Sequence, residues 1–370
     1  MIKLLVADDS PLARRLFSEI FRAEGDFEIQ LARNGAEALA LARSFLPDVV
    51  MLDVQMPELD GLTCLDRLMI EVPCPVVMVS AMSQNGADVA MEAMALGAVD
   101  FIAKPKGALS LHIGSIAPLL VAKVRAAAQA GLRPSLRLRE RVRHRISGVV
   151  KPVKARRYRG PPLASAIADK DHIDGLGGHE VPGLLLIGAS TGGPPAIEAL
   201  LSELPGDFPW PVLIAQHMPG TFTAAMARRL NRCSALNVAE LGAPTALQPG
   251  CVYIGRGDAD IIVSVRPGGL IALPAPASPD YPWHPSVDRM VATALEHVPA
   301  SRLVGVLMTG MGRDGAASMA KLHQLGGQTI AEAESTAVVW GMPGELARLG
   351  GASVVAPLQE ITAHILRMVN

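Results

Sequence analysis

One candidate nucleophile is Ser190, which follows an apolar run in the segment "LLLIGASTGGPPAI", residues 184–197. Its surroundings fit G-x-S-x-G, a pattern typical of a strand-to-helix turn that exposes a nucleophilic serine. The same glycines, with two prolines opening the next helix, would also let backbone N–H groups hold a phosphate or an oxyanion. On this motif alone, a nucleophile and a phosphate-binding loop both remain open.

A serine nucleophile needs a base, and the base needs an orienting carboxylate. Among nine histidines, only His217 directly follows a strong apolar run, in "PVLIAQHMPG". A third run, "LVGVLMTGMGRDG", leads through a glycine loop to Asp314. Because parallel strands end at one edge of a sheet, Ser190, His217 and Asp314 should converge, which favours the nucleophile. Their order along the chain differs from that of the α/β-hydrolases.

Each of these residues also has a structural alternative. Ser190 could cap the next helix, His217 could be a buried histidine bonded to backbone, and Asp314 could cap a helix over 315–325. Rival residues for the base and the acid lie in other loops: His284 in "YPWHPSVD", and Asp258 and Asp260.

A second candidate site collects carboxylates near the N-terminus. Asp8 and Asp9 end the first apolar run and Asp53 ends the third. Three gathered carboxylates repel one another unless a cation neutralises them, and oxygen-only ligands suit Mg²⁺. Ser80 and Lys104 end the fourth and fifth runs, as an incoming phosphoryl group would require. Helix capping explains one such aspartate, but it explains the five residues together poorly.

The elements that must position these residues alternate between strands and helices. Residues 1–120 predict a doubly wound α/β domain with a parallel sheet covered on both faces. Its predicted strands are "KLLVAD", "FEIQLA", "DVVMLD", "PVVMVS" and "DFIAK", and its predicted helices include 11–24, 35–44, 61–70 and 85–96.

A change in composition separates this domain from a second one. Residues 121–182 predict a linker with a helical start, first basic and then rich in Gly, Pro and Ala. The second domain, 183–370, is again predicted to be α/β with a mainly parallel sheet. Its predicted strands are "GLLLIGAS", "WPVLIAQH", "CVYIGR", "DIIVSV", "LVGVLMTG" and "ASVVAP", and its predicted helices include 195–204, 221–232, 286–297 and 315–325.

Composition narrows the class of protein. Half of the 370 residues are apolar, 19% are charged, and the formal net charge is −1. The basic linker segment "RLRERVRHR" lacks aromatic interleaving and a reading helix, so a solvated linker is favoured over a nucleic-acid arm. The start lacks a signal-peptide pattern, no apolar run suggests membrane insertion, and the four cysteines form no CxxC pair. We therefore expect a cytoplasmic protein with reduced thiols and no nucleic-acid partner.

The first domain resembles the response-regulator receiver family, through "ADDS", "MLDVQMPELDG", "VVMVSA" and "DFIAKP". The resemblance implies a flavodoxin-like fold, and Asp53 as the phosphoacceptor for a histidine kinase. The resemblance also implies that Asp8, Asp9, Asp53 and the Gln55 carbonyl are Mg²⁺ ligands. Ser80 and Lys104 would contact the phosphoryl group, and Phe101 would be an aromatic switch.

The second domain resembles the chemotaxis-type protein-glutamate methylesterases. The motifs that carry the resemblance are "IGASTGGPPAI", "AQHMPGTFT", "VLMTGMGRDGA" and "AEAESTAVVWGMPGE". It implies a Ser190-His217-Asp314 triad, a site-shaping Thr191 and an oxyanion donor at the Met311 N–H. Two loops depart from the family pattern: Trp283 and His284 replace His-Arg, and Gly255 and Arg256 replace Ala-Pro.

Together the two resemblances imply a phosphorylation-regulated enzyme. It would hydrolyse glutamate γ-methyl esters, and deamidate glutamines, on methylated chemoreceptors, without a cofactor for the esterase chemistry. The unmodified receiver would inhibit the catalytic domain by covering the triad. Two other functions stay open: a hydrolase of another ester, and a receiver with a non-catalytic effector whose basic linker binds nucleic acid.

Overall fold

The computed structural model describes residues 1–81, 83–104, 109–130 and 183–369. The chain divides into two compact units, one containing residues 1–130 and the other containing residues 183–369. The basic segment "RLRERVRHR" and the rest of the predicted linker beyond residue 130 lie outside the described residues.

The first unit contains one five-stranded parallel sheet with the strand order β2-β1-β3-β4-β5. The predicted doubly wound α/β class is confirmed. The strands are β1 (Ile2–Ala7), β2 (Phe27–Ala32), β3 (Val49–Asp53), β4 (Val76–Ala81) and β5 (Asp100–Lys104), and the helices are α1 (Pro11–Glu24), α2 (Gly35–Phe45), α3 (Gly61–Glu71), α4 (Gln84–Leu96) and α5 (Leu109–Ala128). Helix α5 continues through residue 120, where the sequence predicts the domain to end.

Local signals explain why these elements begin where they do. Ser10, Asn34 and Asp60 are the N-caps of α1, α2 and α3, and each side chain accepts a hydrogen bond from the N–H three residues on. Strand β3 is buried at every position, as expected for a parallel strand covered by helices on both faces. Buried strands that end in polar residues therefore bring those residues to one rim of the sheet.

The second unit contains two sheets. One has seven parallel strands in the order β15-β14-β13-β6-β7-β10-β8, and the other has three antiparallel strands in the order β11-β12-β9. The strands are β6 (Leu184–Ala189), β7 (Val212–Gln216), β8 (Asn237–Leu241), β9 (Thr245–Ala246), β10 (Cys251–Gly255), β11 (Ala259–Arg266), β12 (Gly269–Pro276), β13 (Leu303–Leu307), β14 (Gln328–Glu332) and β15 (Val354–Ala356). The helices are α6 (Gly193–Glu203), α7 (Gly220–Cys233), α8 (Val287–His297), α9 (Ala316–Gln324), α10 (Met342–Arg348) and α11 (Leu358–Val369), with a 3₁₀ turn at Ala300–Arg302.

The predicted mainly parallel sheet is confirmed, and the antiparallel sheet is new. The segment "DIIVSV" forms β11, which pairs with β12 in a hairpin outside the large sheet. A tight turn through Pro267 and Gly268 joins these two strands, whereas parallel strands need a long crossover connection. Strand β12 escaped sequence prediction because its two prolines interrupt the apolar pattern.

Strand β6 lies at the centre of the seven-stranded sheet, with three strands on each side. All six of its residues are buried. A β-carbon built on Gly188 would lie 2.6 Å from Cγ1 of Val287, so this glycine lets the start of α8 approach the central strand closely. The close approach brings the N-terminus of α8 to the strand ends where the candidate triad lies.

The four cysteines are free thiols, and burial raises the pKa of each of them. For Cys64 and Cys74 the pKa rises to about 12. Within the described residues, none of the helices combines the length and the apolar character that crossing a bilayer requires.

Candidate active site and phosphoacceptor site

Three adjacent strands bring the predicted triad to one edge of the large sheet. Strand β6 pairs in parallel with β13 on one side and with β7 on the other. Ser190 directly follows β6, His217 directly follows β7, and Asp314 lies in the loop after β13. The His217 N–H donates to the Ala189 carbonyl at 3.1 Å, which extends the ladder by one step beyond the strands.

His217 and Asp314 form a direct pair. Nε2 of His217 lies 2.8 Å from Oδ2 of Asp314, and the two residues are 8% and 5% exposed. Nδ1 of His217 is buried and has no hydrogen-bond partner among the described residues. The carboxylate therefore engages Nε2 and leaves Nδ1 as the free nitrogen, the reverse of the common serine-protease arrangement.

The N-terminus of α8 holds the Asp314 carboxylate. Oδ1 accepts hydrogen bonds from the Ser286 hydroxyl and the Asp288 N–H, both at 3.1 Å, and Oδ2 accepts one from the Val287 N–H at 2.7 Å. Burial raises the pKa of this carboxyl, but the hydrogen bond and charge of His217 and the two N–H donors outweigh it, so the pKa is lowered. The alternative that Asp314 caps the helix over 315–325 is wrong, because its partners lie on α8.

The turn around Ser190 is held by its neighbours. The Ser190 N–H donates to the Thr309 carbonyl at 2.9 Å, and Nε2 of Gln216 donates to the Ser190 carbonyl at 2.9 Å. Gly192, with φ +77°, is the N-cap residue of α6, and in the described chain no side chain caps that helix. Ser190 is therefore not the cap of that helix, and its role as a nucleophile stays a prediction.

Thr191 and Met311 flank the serine on two loops. Thr191 is 2% exposed, and its carbonyl accepts a hydrogen bond from the Thr309 hydroxyl at 2.8 Å. Met311 follows Gly310, where a built β-carbon would lie only 2.8 Å from Cβ of Ser190. Both predicted residues thus lie on loops that contact the serine turn, and their roles toward substrate stay predictions.

Glu332 is a buried carboxylate that sequence reasoning missed. It ends β14, is 0% exposed, and accepts hydrogen bonds from the Thr309 N–H at 2.8 Å and the Thr336 hydroxyl at 3.0 Å. Burial raises its pKa. Glu332 thus holds Thr309, which in turn holds Ser190; its place at a strand end is the signal that could have found it.

The rival residues belong to a second cluster. Nδ1 of His284 lies 2.8 Å from Oδ1 of Asp260, a buried carboxylate that also accepts hydrogen bonds from the Ser286 N–H and Arg289. Asp258 is exposed and pairs with Arg256. Neither rival acid bonds His217 in the described residues. Ser286 links the two clusters, and its place as the first residue of the predicted helix 286–297 is the N-cap signal that could have found it.

The carboxylates of the first unit gather as predicted. Nζ of Lys104 lies 2.7 Å from Oδ2 of Asp53 and 2.9 Å from Oδ2 of Asp8. Burial raises the pKa of Asp53 to about 6, against the lowering effect of Lys104. Burial also lowers the pKa of Lys104, but the paired carboxylates outweigh it and the pKa is raised. These ion pairs keep an ammonium group beside the carboxylate that sequence reasoning predicts to react.

A cavity of about 220 Å³ opens onto Asp53. Ser80 lines it with a hydroxyl that donates to the Gly86 carbonyl at 3.0 Å. Phe101, the predicted aromatic switch, lies in β5, the strand that ends at Lys104, and is 3% exposed. The residues that line the cavity are Asp9, Asp53, Val54, Gln55, Ser80, Ala81, Ser83, Asn85, Gly86, Val89 and Lys104.

The acidic cluster fits a magnesium ion by its chemistry. Asp8, Asp9 and Asp53 each offer a carboxylate oxygen, and these atoms lie within 4.8 Å of one another. An all-oxygen donor set is the one that Mg²⁺ prefers. Gln55 lies two residues after Asp53 on the cavity wall, where its carbonyl is predicted to complete the set.

Known families match both units. Residues 185–365 match the CheB methylesterase family, and residues 4–113 match the response regulator receiver domain. Protein-glutamate methylesterase/protein-glutamine glutaminase 2 of Rhodopseudomonas palustris (strain BisB18) is 58% identical over 100% of this chain and 99% of the relative. Protein-glutamate methylesterase/protein-glutamine glutaminase 3 of Rhodospirillum rubrum is 48% identical over 99% of this chain and 95% of the relative.

Among solved structures, the CheB methylesterase catalytic domain of Thermotoga maritima is 34% identical. The match covers 50% of this chain and 98% of the Thermotoga maritima chain, with a TM-score of 0.49. The response regulator domain of Thermotoga maritima CheB is 38% identical over 36% of this chain and 99% of its own, with a TM-score of 0.34.

Proposed function

We propose that this chain, which belongs to the CheB methylesterase family, acts on chemoreceptors through Ser190, His217 and Asp314, under control of phosphorylation at Asp53. The proposal proceeds from its identity as a protein-glutamate methylesterase/glutaminase with a receiver domain. The substrate would be a glutamate γ-methyl ester or a glutamine of a methylated chemoreceptor. One observation carries the proposal: His217, paired to Asp314 and carrying a free Nδ1, follows the strand next to the one that presents Ser190.

The acylation step uses the free nitrogen of His217. Nδ1 accepts the Ser190 proton while Oγ bonds to the ester carbonyl carbon, and the carbonyl oxygen takes the electron pair as an oxyanion. The oxyanion re-forms the carbonyl, the C–O bond to methoxide breaks, and the Nδ1 proton leaves with it as methanol. Water then gives a proton to Nδ1 as its oxygen bonds to the acyl carbon; the carbonyl re-forms as the bond to Oγ of Ser190 breaks, Oγ takes the Nδ1 proton back, and glutamate is released. A glutamine loses ammonia by the same steps.

The neighbouring groups stabilise the charges that form. Asp314 holds the proton on Nε2, so that Nδ1 is the basic nitrogen, and it faces the imidazolium once Nδ1 is protonated. Backbone N–H groups near Met311 and in the Ser190 turn would donate to the oxyanion, and Thr191 would shape the site. No cofactor enters these steps.

The receiver would be phosphorylated by a histidine kinase. The Asp53 carboxylate attacks the phosphorus atom, the P–N bond to the kinase's phosphohistidine breaks and its imidazole leaves, and Ser80 and Lys104 would contact the transferred phosphoryl oxygens. Asp8, Asp9, Asp53 and the Gln55 carbonyl would hold Mg²⁺. When bound, Mg²⁺ neutralises the charge that gathers between the carboxylates and the phosphoryl group.

Regulation would join the two reactions. The unphosphorylated receiver inhibits methyl-ester hydrolysis, and phosphorylation relieves the inhibition through a rearrangement at Ser80 and Phe101, both of which are buried in this structure. The two units have separate cores, which supports a receiver that acts on a complete catalytic unit.

The test is methanol release from a carboxyl-methylated chemoreceptor. The wild-type protein should release methanol, and should release it faster with acetyl phosphate and Mg²⁺. The Ser190→Ala variant should release none. Asp53→Asn is the matched control. It should keep the basal rate of methanol release, lose the response to acetyl phosphate, and take up no radiolabel from labelled acetyl phosphate. Release that is unchanged in Ser190→Ala would refute the triad, and unchanged stimulation in Asp53→Asn would refute the phosphoacceptor.

A further inference from the structure

Trp283 lies against the reacting histidine. Its ring stacks on that of His217 with the centroids 5.7 Å apart and the planes 15° from parallel. A β-carbon built on Gly312 would lie 3.7 Å from Nε1 of Trp283. The indole thus adjoins both the predicted base and the loop that carries the predicted oxyanion donor, yet the proposed mechanism gives it no part.

A buried carboxylate ties down the loop that carries this tryptophan. Asp260 accepts a hydrogen bond from the Ser278 N–H at 3.2 Å on one side of Trp283. On the other side it accepts hydrogen bonds from Nδ1 of His284 and the Ser286 N–H, both at 2.8 Å. We name residues 277–286 the Asp260-anchored loop. Since both of its arms bind one fixed group, the indole is held in place.

The histidine needs such a contact because one hydrogen bond does not fix a ring. The bond from Nε2 to Asp314 holds one corner of the imidazole, and the ring plane can still turn about that corner. A flat neighbour on the ring face removes this freedom and keeps Nδ1 in one orientation. Once Nδ1 takes the proton, the ring is a cation on an indole face, the strongest aromatic partner for a cation.

We propose that Trp283 is a positioning residue for the esterase reaction, which fixes the plane of the His217 ring and stabilises the imidazolium that forms during acylation. The inference rests on the proposed role of His217 as the base. It also explains what the departure from the family pattern at this position does: Trp283, in place of the family's histidine, supplies a broad aromatic face against the His217 ring.

Two replacements separate the aromatic face from the volume. Trp283→Phe keeps a smaller ring, whereas Trp283→Leu keeps apolar bulk without one. In methanol release by the full chain, we expect kcat to fall about tenfold in Trp283→Leu and less than about threefold in Trp283→Phe. We expect KM to stay near the wild-type value in both, since the contact acts on His217.

Proton NMR of the full chain with ¹³C-labelled histidine reads the stack without any substrate. The ring protons of His217, assigned by their loss in His217→Gln, should lie upfield because of the indole ring current. They should move downfield in Trp283→Leu and much less in Trp283→Phe. Melting of each variant, followed by circular dichroism, shows whether it is folded.

The outcomes distinguish this inference from the proposed function. Equal kcat in Trp283→Leu and Trp283→Phe, or ring protons that stay in place in Trp283→Leu, would overturn the positioning role. If wild type is no faster than Ser190→Ala, the proposed function fails instead. In that case only the chemical shifts of the His217 ring protons test the positioning of His217. A downfield shift in Trp283→Leu that is much smaller in Trp283→Phe supports it, and an unchanged shift in Trp283→Leu overturns it.

Discussion

At the scale of single residues, the contact of Asp314 with Nε2 of His217 decides which nitrogen of the imidazole is left free. The hydroxyl and two backbone N–H groups at the start of α8 supply three donors to that carboxylate. Together with the His217 ring they leave it ionised despite its burial. An ionised Asp314 can only accept a hydrogen bond, so it holds the tautomer in which Nε2 carries the proton and Nδ1 is unprotonated.

Replacing Asp314 with asparagine should reverse this tautomer. The amide can donate to Nε2, which leaves the proton on Nδ1 and removes the base. We expect kcat for methanol release to fall about 10⁴-fold. The measurement is steady-state methanol release with a saturating methylated receptor.

Asp258→Asn is the control for that change. Asp258 was a rival acid from the sequence, and it is exposed and paired with Arg256. We expect its replacement to keep kcat near wild type. A loss in Asp258→Asn as large as that in Asp314→Asn would show that the acid has been assigned to the wrong loop.

The sequence was sufficient to place these residues because each lies at the end of a strand or in the loop that follows one. Ser190, His217 and Asp314 could be found by that rule, and so could Asp53 and Lys104. It could not tell which nitrogen of His217 meets Asp314, since that depends on the approach of α8 permitted by Gly188. It also could not show the stack of Trp283, because a loop between prolines has no periodicity from which to place a side chain.

At the scale of elements, the hairpin of β11 and β12 gives the site its Asp260-anchored loop. Asp260 lies in β11 and Ser286 is the N-cap of α8, so one carboxylate joins the antiparallel sheet to the helix that holds Asp314. The sequence predicted that helix, but not the hairpin partner β12. The contact between Asp260 and Ser286 therefore could not be predicted from the sequence, because it depends on the pairing of β11 with β12.

Asp260→Asn should destabilise the second unit in a way that depends on pH. Burial raises the pKa of Asp260, but hydrogen bonds from His284, Ser286 and Arg289 outweigh it, so the pKa lies below the ordinary 3.8. The folded state therefore binds the proton more weakly than the unfolded chain. The resulting stability is fully present above about pH 4 and is lost as the pH falls through the folded value.

We expect Asp260→Asn to lower the free energy of unfolding by about 2 kcal/mol at pH 7, and by less at pH 3. Urea unfolding followed by tryptophan fluorescence measures this, since Trp210, Trp283 and Trp340 all lie in the second unit. Asp280→Asn, an exposed aspartate on the same loop, is the control and should change little. A destabilisation equal at both pH values would contradict the assigned pKa shift.

At the scale of the whole molecule, two units with separate cores are joined by one chain. Every residue of the proposed triad lies in the second unit, and every residue of the proposed phosphoacceptor site lies in the first. The sequence predicted this division from composition alone. The proposed control of one unit by the other requires both units in one chain, so separating the units tests it.

A fragment of residues 183–370 should fold and should hydrolyse methyl esters without control. We expect its rate to be independent of acetyl phosphate and about fivefold or more above that of the unphosphorylated full chain. Methanol release from the same receptor, compared at equal enzyme concentration, measures both. A cooperative melt shows that the fragment is folded, and a folded fragment no faster than the full chain would contradict inhibition by the receiver.

The central place of β6 in the seven-stranded sheet has a consequence for how activity is lost. Strands β15 and β8 form the two edges, and the edges of a sheet open before its middle. Amide protons of β6 should therefore exchange with deuterium only when the whole unit opens, so fraying at either edge leaves the nucleophile in place. Inactivation by heat or urea should then be a single cooperative event, without a gradual decline in the activity of molecules that remain folded.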